Sequence, residues 1–488
     1  MQQVLHLYEY IYDSLVSQIE CGAYLKSGAL PSQQQICAKY NVGITTVRRV
    51  LKMLDKNGYI HTACGKPAAV TYQASPEEYC TALAGRKHAV EDAYHGLGTL
   101  MPALYSEGAK RCSEPEFHRM QEAVDQIYDH MNLQAVYDQT NIFFASILST
   151  FHNPLILDLE HDAENFLYIP HLPFFNIKDP FEMTPLYIKS WLQNLLDLAM
   201  DRKNDQFFHI INNSYKNSMC RVHDYFVSLE RFAKHSTLPE NDILWFRVKD
   251  HSELYIHLAM SILRRIFGGE FDHQKYLPSI PRFMSEYGVT KDTVSRAVTL
   301  LNTIGIIETY DKKGTVISTG KVRNYNSCID FSAPFVQQQI ALCLESLQIM
   351  ALTIRACAAS FSPISKEWIC NMESKLSMVN NDRISPLSVQ LLMGSVIQLA
   401  PCHSLKNIYL QLNELMLWGY YFKLIDNDLY TGSGRIMEAM LEVVDAFKAN
   451  DSGSLPAALE KAFLYIYNDI LVYIDQLPYP SGPMPIPL

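Results

Sequence analysis

No apolar run in this 488-residue chain reads as long enough to cross a membrane as a helix, so no membrane span is expected. The first residues show no basic stretch followed by an apolar core, so no export signal is expected and the chain is expected to stay in the cytoplasm. Its 11 cysteines are scattered and include no Cys-x-x-Cys pair. That argues against zinc ligation and against a disulfide framework, and most of them read as small core residues. Glycine is sparse, at 21 residues, and strand signals are few. Glycine-rich phosphate loops and a large α/β domain are therefore not expected. No Ser/His/Asp elbow and no paired-carboxylate arrangement stands out, so neither an enzyme nor a bound cofactor is expected. Positive charge is also missing overall, because 51 acidic residues face 41 Lys and Arg for a net charge of −10.

What is present is an internal repeat. Leu30-Pro31-Ser32 returns as Leu277-Pro278-Ser279, Thr46-Val47-x-Arg49 as Thr293-Val294-x-Arg296, and Gly58-x-Ile60 as Gly305-x-Ile307. At this offset of 247, 18 of the 60 positions from Leu7 to Lys66 are identical without a gap. Unrelated segments of average composition match at roughly 6% of positions, so about four matches are expected by chance. The excess marks a duplicated structural unit.

The first copy reads as three helices and a hairpin. Leu7, Ile11, Leu15 and Ile19 are spaced by four along one helical face, and Gly22 suits a left-handed cap. Pro31-Ser32 opens a second helix with Ile36 and Tyr40 facing inward. After the turn Asn41-Val42-Gly43, a third helix buries Val47, Val50, Leu51 and Leu54. Its other face carries Thr45, Thr46, Arg48, Arg49 and Lys52. Gly58 stops it, and Tyr59 to Thr62 and Ala68 to Tyr72 read as strands around Cys64-Gly65-Lys66-Pro67. The second copy repeats the order. Leu258, Ile262 and Ile266 form the first stripe, and Val294, Ala297, Val298 and Leu301 bury the third helix. Ile306 to Tyr310 and Thr315 to Ser318 flank the turn Asp311-Lys312-Lys313-Gly314.

This order is that of a winged helix-turn-helix, which presents its third helix to the major groove of DNA and its hairpin to the flanking backbone. Both copies resemble the DNA-binding domain of the GntR family of bacterial transcription regulators, over about 65 residues each. The resemblance rests on Leu-Pro-Ser, Thr-Val with a nearby arginine, and Gly-x-Ile before a glycine-containing wing. It implies double-stranded DNA as partner. The residues it points to are Ser32, Gln34, Thr45, Thr46, Arg48, Arg49, Lys52 and Lys66 in copy one. In copy two they are Ser279, Thr290, Lys291, Thr293, Ser295, Arg296, Lys312 and Lys313.

The copies depart from the family pattern differently. The arginine that follows Leu-Pro-Ser in the family is Gln34 in one copy and Pro281 in the other. The Ser-Arg pair after the turn valine is Gly43-Ile44 and Thr290-Lys291, and the arginine after Thr-Val is Arg48 but Ser295. The two readers are therefore not expected to read the same half-site. An alternative is that one copy has lost DNA binding and only pairs with the other. Charge is partitioned accordingly. Residues 1–72 and 254–321 each carry a net +3, leaving −16 on the rest of the chain. Backbone attraction is thereby confined to two mildly basic modules.

Residues 75–240 and 322–477 are rich in Leu, Ile, Met, Phe and Tyr at helical spacing. Ser75-Pro76-Glu77 starts the first, Pro173 and Asp179-Pro180 mark a loop within it, and Ser236 to Glu240 reads as a linker or cap. They resemble the all-helical effector domain of FadR-like GntR proteins. Phe143-Phe144 before Asn153-Pro154-Leu155 carries the likeness, with Leu195-Leu196-Asp197 through Asp205 and His209 further on. Ala400-Pro401-Cys402-His403-Ser404 echoes Ser149-Thr150-Phe151-His152-Asn153, and Met440-Leu441-Glu442 to Asp451 echoes the later helix, which suggests that a whole half was duplicated. Many such domains bind a metal through an Asp and three His. The matching positions here are Thr140 and Phe144, so no metal of that kind is expected. His161, His171, His209 and His223 read more simply as core or surface residues.

The expected architecture is mostly α: a tandem duplication of winged helix-turn-helix plus all-helical domain. The borders are 1–74, 75–240, 248–321 and 322–477, followed by a proline-rich tail at 478–488. The expected partners are DNA and a small-molecule effector held between helices, with the chain acting as a single-chain pseudo-dimer or as a homodimer. A protein-interaction role for the winged helices is the alternative, against which the basic, threonine-rich third helices argue.

Overall fold

The structure is a computed structural model. It describes residues 7–25, 28–40, 42–63, 66–234, 245, 254–267, 270–271, 276–303, 306–310, 313–317, 334–361, 369–370, 384–421, 433–449 and 453–475. The first module contains α1 (Leu7–Glu20), α2 (Gln33–Tyr40), α3 (Ile44–Lys56), β1 (Ile60–His61) and β2 (Ala69–Val70). The first helical half follows with α4 (Pro76–Ala84), α5 (Lys87–Arg111), α6 (Glu114–Asp125) and α7 (Leu133–Leu148). It continues with α8 (Pro154–Leu167), α9 (Pro185–Met200) and α10 (Asn204–Glu230). The second module contains α11 (Leu254–Phe267), α12 (Ile280–Tyr287), α13 (Lys291–Thr303), β3 (Ile307–Tyr310) and β4 (Gly314–Ile317). The described helices of the second half are α14 (Pro334–Ala358), α15 (Ile384–Leu399), α16 (His403–Tyr421), α17 (Ser433–Ala449) and α18 (Ser454–Ile474).

The duplication extends past the modules. α5 and α14 are both 25 residues long and begin 247 residues apart, the offset of the sequence repeat. α7 and α15 are both 16 residues long, at an offset of 251. The Ser149–Asn153 and Ala400–Ser404 segments occupy the same place in the order, each leading into the next long helix.

Local chemistry explains the boundaries. Ser75 caps α4 in a capping box with Glu78, and Asn153 caps α8 by accepting from the Leu155 and Ile156 amides. Gly22 follows α1 with φ +81°, and Gly58 follows α3 with φ +79°, where a side chain would be strained. The loop around Pro173 and Asp179-Pro180 falls between α8 and α9, as expected. The wing strands of copy one are shorter than the sequence suggested, with only Ile60↔Val70 and His61↔Ala69 paired. Copy two has four pairs, from Ile307↔Ile317 to Tyr310↔Gly314. The expected linker at 236–240, the tail at 478–488, and Cys64, Gly65 and Lys312 lie outside the described residues.

One expectation needs correction. α14 is long and apolar enough by composition to span a membrane. It is instead the central helix of the second half, packed against α18, α16 and α5. Val336, Ile340, Leu344, Leu347, Ile354 and Cys357 are all buried. A helix mostly covered by other helices is apolar over most of its surface for the same reason as a membrane helix, namely that little of it meets water.

The two halves join through α5 and α14 in a reciprocal way. The Asn153 side chain, buried at the start of α8, donates to the Glu345 carbonyl and to Gln348 Oε1 on α14, both at 2.9 Å. At the start of α16, the corresponding Ser404 hydroxyl donates to the Asp92 carbonyl on α5 at 2.8 Å. The Asp92 carboxylate accepts from the His403 and Ser404 amides at 2.9 and 2.6 Å. Asp92 thus caps a helix of the opposite half and places negative charge at its N-terminus. Trp245 is fully buried between the halves. Its amide faces Asn407 on α16 at 3.3 Å, and its indole N–H faces Asp158 on α8 at 3.4 Å.

Candidate nucleic-acid interface

The two modules are built by the same bonds. Leu30 N donates to the Ala68 carbonyl at 2.8 Å, and Leu277 N to the Thr315 carbonyl at 2.8 Å. The repeated Leu-Pro-Ser therefore does two jobs. Its buried leucine ties the chain to the wing, and its Pro-Ser leads into the second helix. Tyr40 Oη lies 2.9 Å from Ser14 Oγ and accepts from Gln18 Nε2 at 2.9 Å. Tyr287 Oη repeats this with Ser261 at 3.0 Å and Arg265 Nη1 at 3.1 Å. Thr62 donates to Asp55 at 2.6 Å, and Thr309 N donates to Asn302 Oδ1 at 3.0 Å. These contacts aim the third helix relative to the wing.

In α3, Val47, Val50, Leu51 and Leu54 are buried while Thr45, Arg48, Arg49 and Lys52 are exposed. Thr46 is half-buried. In α13, Val294, Ala297 and Leu301 are buried and Lys291 and Arg296 are exposed, with Thr293 and Ser295 half-buried. The predicted basic groups of each copy therefore share one outer helix face. Gln34, Lys66 and Lys313 are also exposed. Some predicted hydroxyls are engaged locally. Ser32 forms a capping box with Gln35, at 2.9 and 3.2 Å, and Thr290 Oγ1 lies 2.9 Å from Thr293 Oγ1 at the start of α13. Ser279 stands at the N-cap of α12.

Sequence reasoning missed three features. Arg48 Nε donates to Gln33 Oε1 at 3.3 Å, so Gln33 orients it. The Arg49 guanidinium lies 3.4 Å from the Tyr8 ring centroid, and Arg296 lies 4.1 Å from that of Tyr255. Lys56 extends the basic face of α3. The available signal was the identity of Tyr8 with Tyr255 and of Arg49 with Arg296 at the repeat offset.

The modules carry the same net charge, but their third helices differ. α3 holds Arg48, Arg49, Lys52 and Lys56 against Asp55, a net +3. α13 holds Lys291 and Arg296 against Asp292, a net +1. Arg265 adds nothing to the outer face of copy two. A bidentate bond to Glu270 at 2.8 and 2.6 Å and an ion pair with Glu286 at 2.8 Å occupy it, and these carboxylates hold its pKa up.

The comparisons with known proteins fall on these modules. Residues 7–70 and 254–317 each match the family described as bacterial regulatory proteins, gntR family. The chain carries two gntR-family winged helices. Over 60 residues it is 40% identical to the HTH-type transcriptional regulator TreR of Bacillus subtilis (strain 168), a match covering 12% of this chain and 25% of TreR. The chain thus spans about a quarter of the length of that relative. Among solved structures, a GntR-family transcriptional regulator from Pseudomonas syringae pv. tomato str. DC3000 overlaps 46% of this chain and 88% of its own, at 17% identity and a TM-score of 0.23. E. coli McbR/YncC overlaps 45% and 99%, at 14% identity and a TM-score of 0.20. Likeness that loose carries no argument about the helical halves.

The first gntR module is clasped by α8. His161 Nε2 donates to the Lys39 carbonyl at 2.5 Å, and Asn165 Nδ2 to the same oxygen at 3.2 Å. Lys39 closes α2, just before the turn into α3, and burial pushes its amine down to about 8. The opposite side of α8 faces the helical core. Glu160 there is 6% exposed and accepts from Tyr105 Oη at 2.9 Å. Burial holds the Glu160 and Glu164 carboxyls above the usual carboxylate range, and the nearby Glu164 charge pushes Glu160 further in the same direction.

Because the folded pKa is raised, the folded state keeps protons that the unfolded chain releases. Stability should then fall as pH rises from about 4.5, the ordinary value, toward and beyond neutrality. Urea titrations between pH 5 and 8.5 should show this decline, and Glu160→Gln should lessen it, leaving the share that Glu164 contributes. An equal decline in the variant would remove Glu160 as its cause.

The remaining histidines have local partners or lie outward. His171 Nε2 donates to the Ile177 carbonyl at 3.1 Å, His223 Nδ1 contacts Glu91 at 2.8 Å, and His209 is exposed. Thr140 donates to the Val136 carbonyl, and Phe144 packs on Tyr105 with centroids 4.6 Å apart. Among the described residues, no three His, Cys, Asp or Glu side chains converge as a metal set.

Proposed function

We propose that this protein is a DNA-binding transcription regulator whose two unequal gntR modules grip the two parts of one asymmetric duplex site. Ser32, Gln34, Thr45, Thr46, Arg48, Arg49, Lys52 and Lys66 would contact DNA from the first module. Ser279, Thr290, Lys291, Thr293, Ser295, Arg296, Lys312 and Lys313 would do so from the second. The observation that carries the proposal is the recurrence of the same exposed basic helix in one chain, at α3 and α13. Paired readers commonly sit one helical turn apart on DNA. Here a covalent link would replace a second subunit, making the second contact intramolecular. The reciprocal contacts of Asn153 and Ser404 across α5 and α14 support a single-chain pseudo-dimer.

The helical halves are the proposed seat of a small-molecule effector. Support comes from α8, which touches the Lys39 carbonyl of the first reader on one side and the core on the other. An effector would act only through different affinities for two spacings of the readers. A second reading, in which the second module pairs with protein, is favoured by Asp292 and the low charge of α13.

Selection from a random duplex pool, followed by light scattering of the complex, tests the proposal. One chain per duplex is expected, with an enriched site lacking two-fold symmetry. A complex of two chains on a palindrome would sink the pseudo-dimer. Native mass spectrometry of protein taken from its own cells would reveal a co-bound effector.

A further inference from the structure

The 18 identities between the modules mostly answer structural demands. Ile19, Leu30, Val47, Leu54 and Ile60 are buried, Gly22 and Gly58 take positive φ, and Pro31-Ser32 leads into a helix. Tyr8 and Arg49 answer none of these. Both lie toward the surface, the tyrosine half-buried and the arginine exposed, yet both recur as Tyr255 and Arg296 with the same burial. In both modules the guanidinium lies on the tyrosine ring, with Cζ 3.4 and 4.1 Å from the centroid. The neighbouring position shows no such persistence, being Arg48 in one copy and Ser295 in the other.

A free arginine side chain loses rotamer freedom when a contact orders it. Stacking on a ring that the first helix holds in place removes part of that loss before DNA arrives. A guanidinium packed by its face keeps its in-plane N–H edge open, and that edge matches a phosphate or the guanine O6/N7 pair. We propose that Tyr8 and Tyr255 are positioning residues that pre-orient Arg49 and Arg296 for DNA. The inference rests on the DNA-binding function proposed above and adds to it the first-helix residues that set the arginines.

The test is a double-mutant cycle on the full chain, with fluorescence anisotropy on the duplex enriched from the random pool and melting of each variant alongside. Tyr8→Phe keeps the ring and should bind within about twofold of the parent. Tyr8→Leu should bind about 5- to 10-fold more weakly. On the Arg49→Ala background, Tyr8→Leu should cost nothing further. Tyr8→Met, of similar bulk without a ring, replaces Tyr8→Leu if that variant does not fold. Tyr255→Leu with Arg296→Ala should behave alike in the second module. Parent-like binding by Tyr8→Leu, or an equal loss with and without Arg49, would overturn the inference while leaving DNA binding intact. Failure of the parent to enrich any duplex would remove both together.

Discussion

Replacing Arg48 and Arg49 by alanine is expected to weaken binding to the selected duplex by about 100- to 1000-fold. Replacing Lys291 and Arg296 should cost only about tenfold. Each well-placed cationic contact to a phosphate or guanine is worth about 1–3 kcal/mol, and 1.4 kcal/mol is a factor of ten. Arg48 and Arg49 sit in a helix face of net +3, oriented by Gln33 and Tyr8. Lys291 stands beside Asp292, which already cancels part of its field, in a helix of net +1. Salt titrations add an independent reading. If both arginines contact phosphates, the slope of log K against log salt should shrink by about 1.8, at about 0.9 per contact. A larger loss from the second pair would reverse the proposed order of the readers. Parent-like binding by either pair would show that its module is not a reader.

The second large effect is expected at Gly96, where α5 meets the start of α16. A Cβ there would run into Ser404 Oγ and come within 3.1 Å of Cys402 Sγ and 3.2 Å of Leu405 N. Leu405 N is backbone, so the helix start itself must shift. That shift would loosen the Asp92 bonds to the His403 and Ser404 amides. Overpacking costs about 1–3 kcal/mol and a lost cap about 0.5–2, against about 1 regained from helix propensity. Gly96→Ala should therefore destabilise the helical core by about 2 kcal/mol in urea. Operator affinity should fall as well, because the two readers hang from the halves that α5 and α16 join. Gly98→Ala is the control on the same helix. Its nearest contact would be Tyr215 Cβ at an ordinary 3.4 Å, so it should be neutral or stabilising by about 0.5–1 kcal/mol. Equal stability of the two variants would show that the junction at Gly96 yields without cost.

The modules were legible because their signals are local. The spacing of Val47, Val50, Leu51 and Leu54 set the buried face of α3, and Gly22 and Gly58 followed helix ends with the expected positive φ. Ser75 announced a helix start through a side chain that reaches only three residues ahead. The basic outer face followed from the same periodicity, since whatever is not buried at a 3.6-residue repeat must point outward. Lys56 was missed at the end of that face, where the pattern runs out. The hydroxyls of Ser32 and Thr290 were read as DNA contacts, yet they also serve helix starts, because the same chemistry suits both tasks.

The sequence by itself determined that there are two winged helices, each with a buried face and a basic outer face on its third helix. Those properties are written in residues a few positions apart. Only the tertiary structure decided that Asp92 caps a helix 311 residues away, and that the Lys39 carbonyl is held by His161 and Asn165. It also decided that the apolar α14 is wrapped by other helices. These are pairings between distant segments, and a local pattern of apolar and polar positions is compatible with many such pairings. Packing selects among them by which backbone groups and apolar faces can be satisfied together.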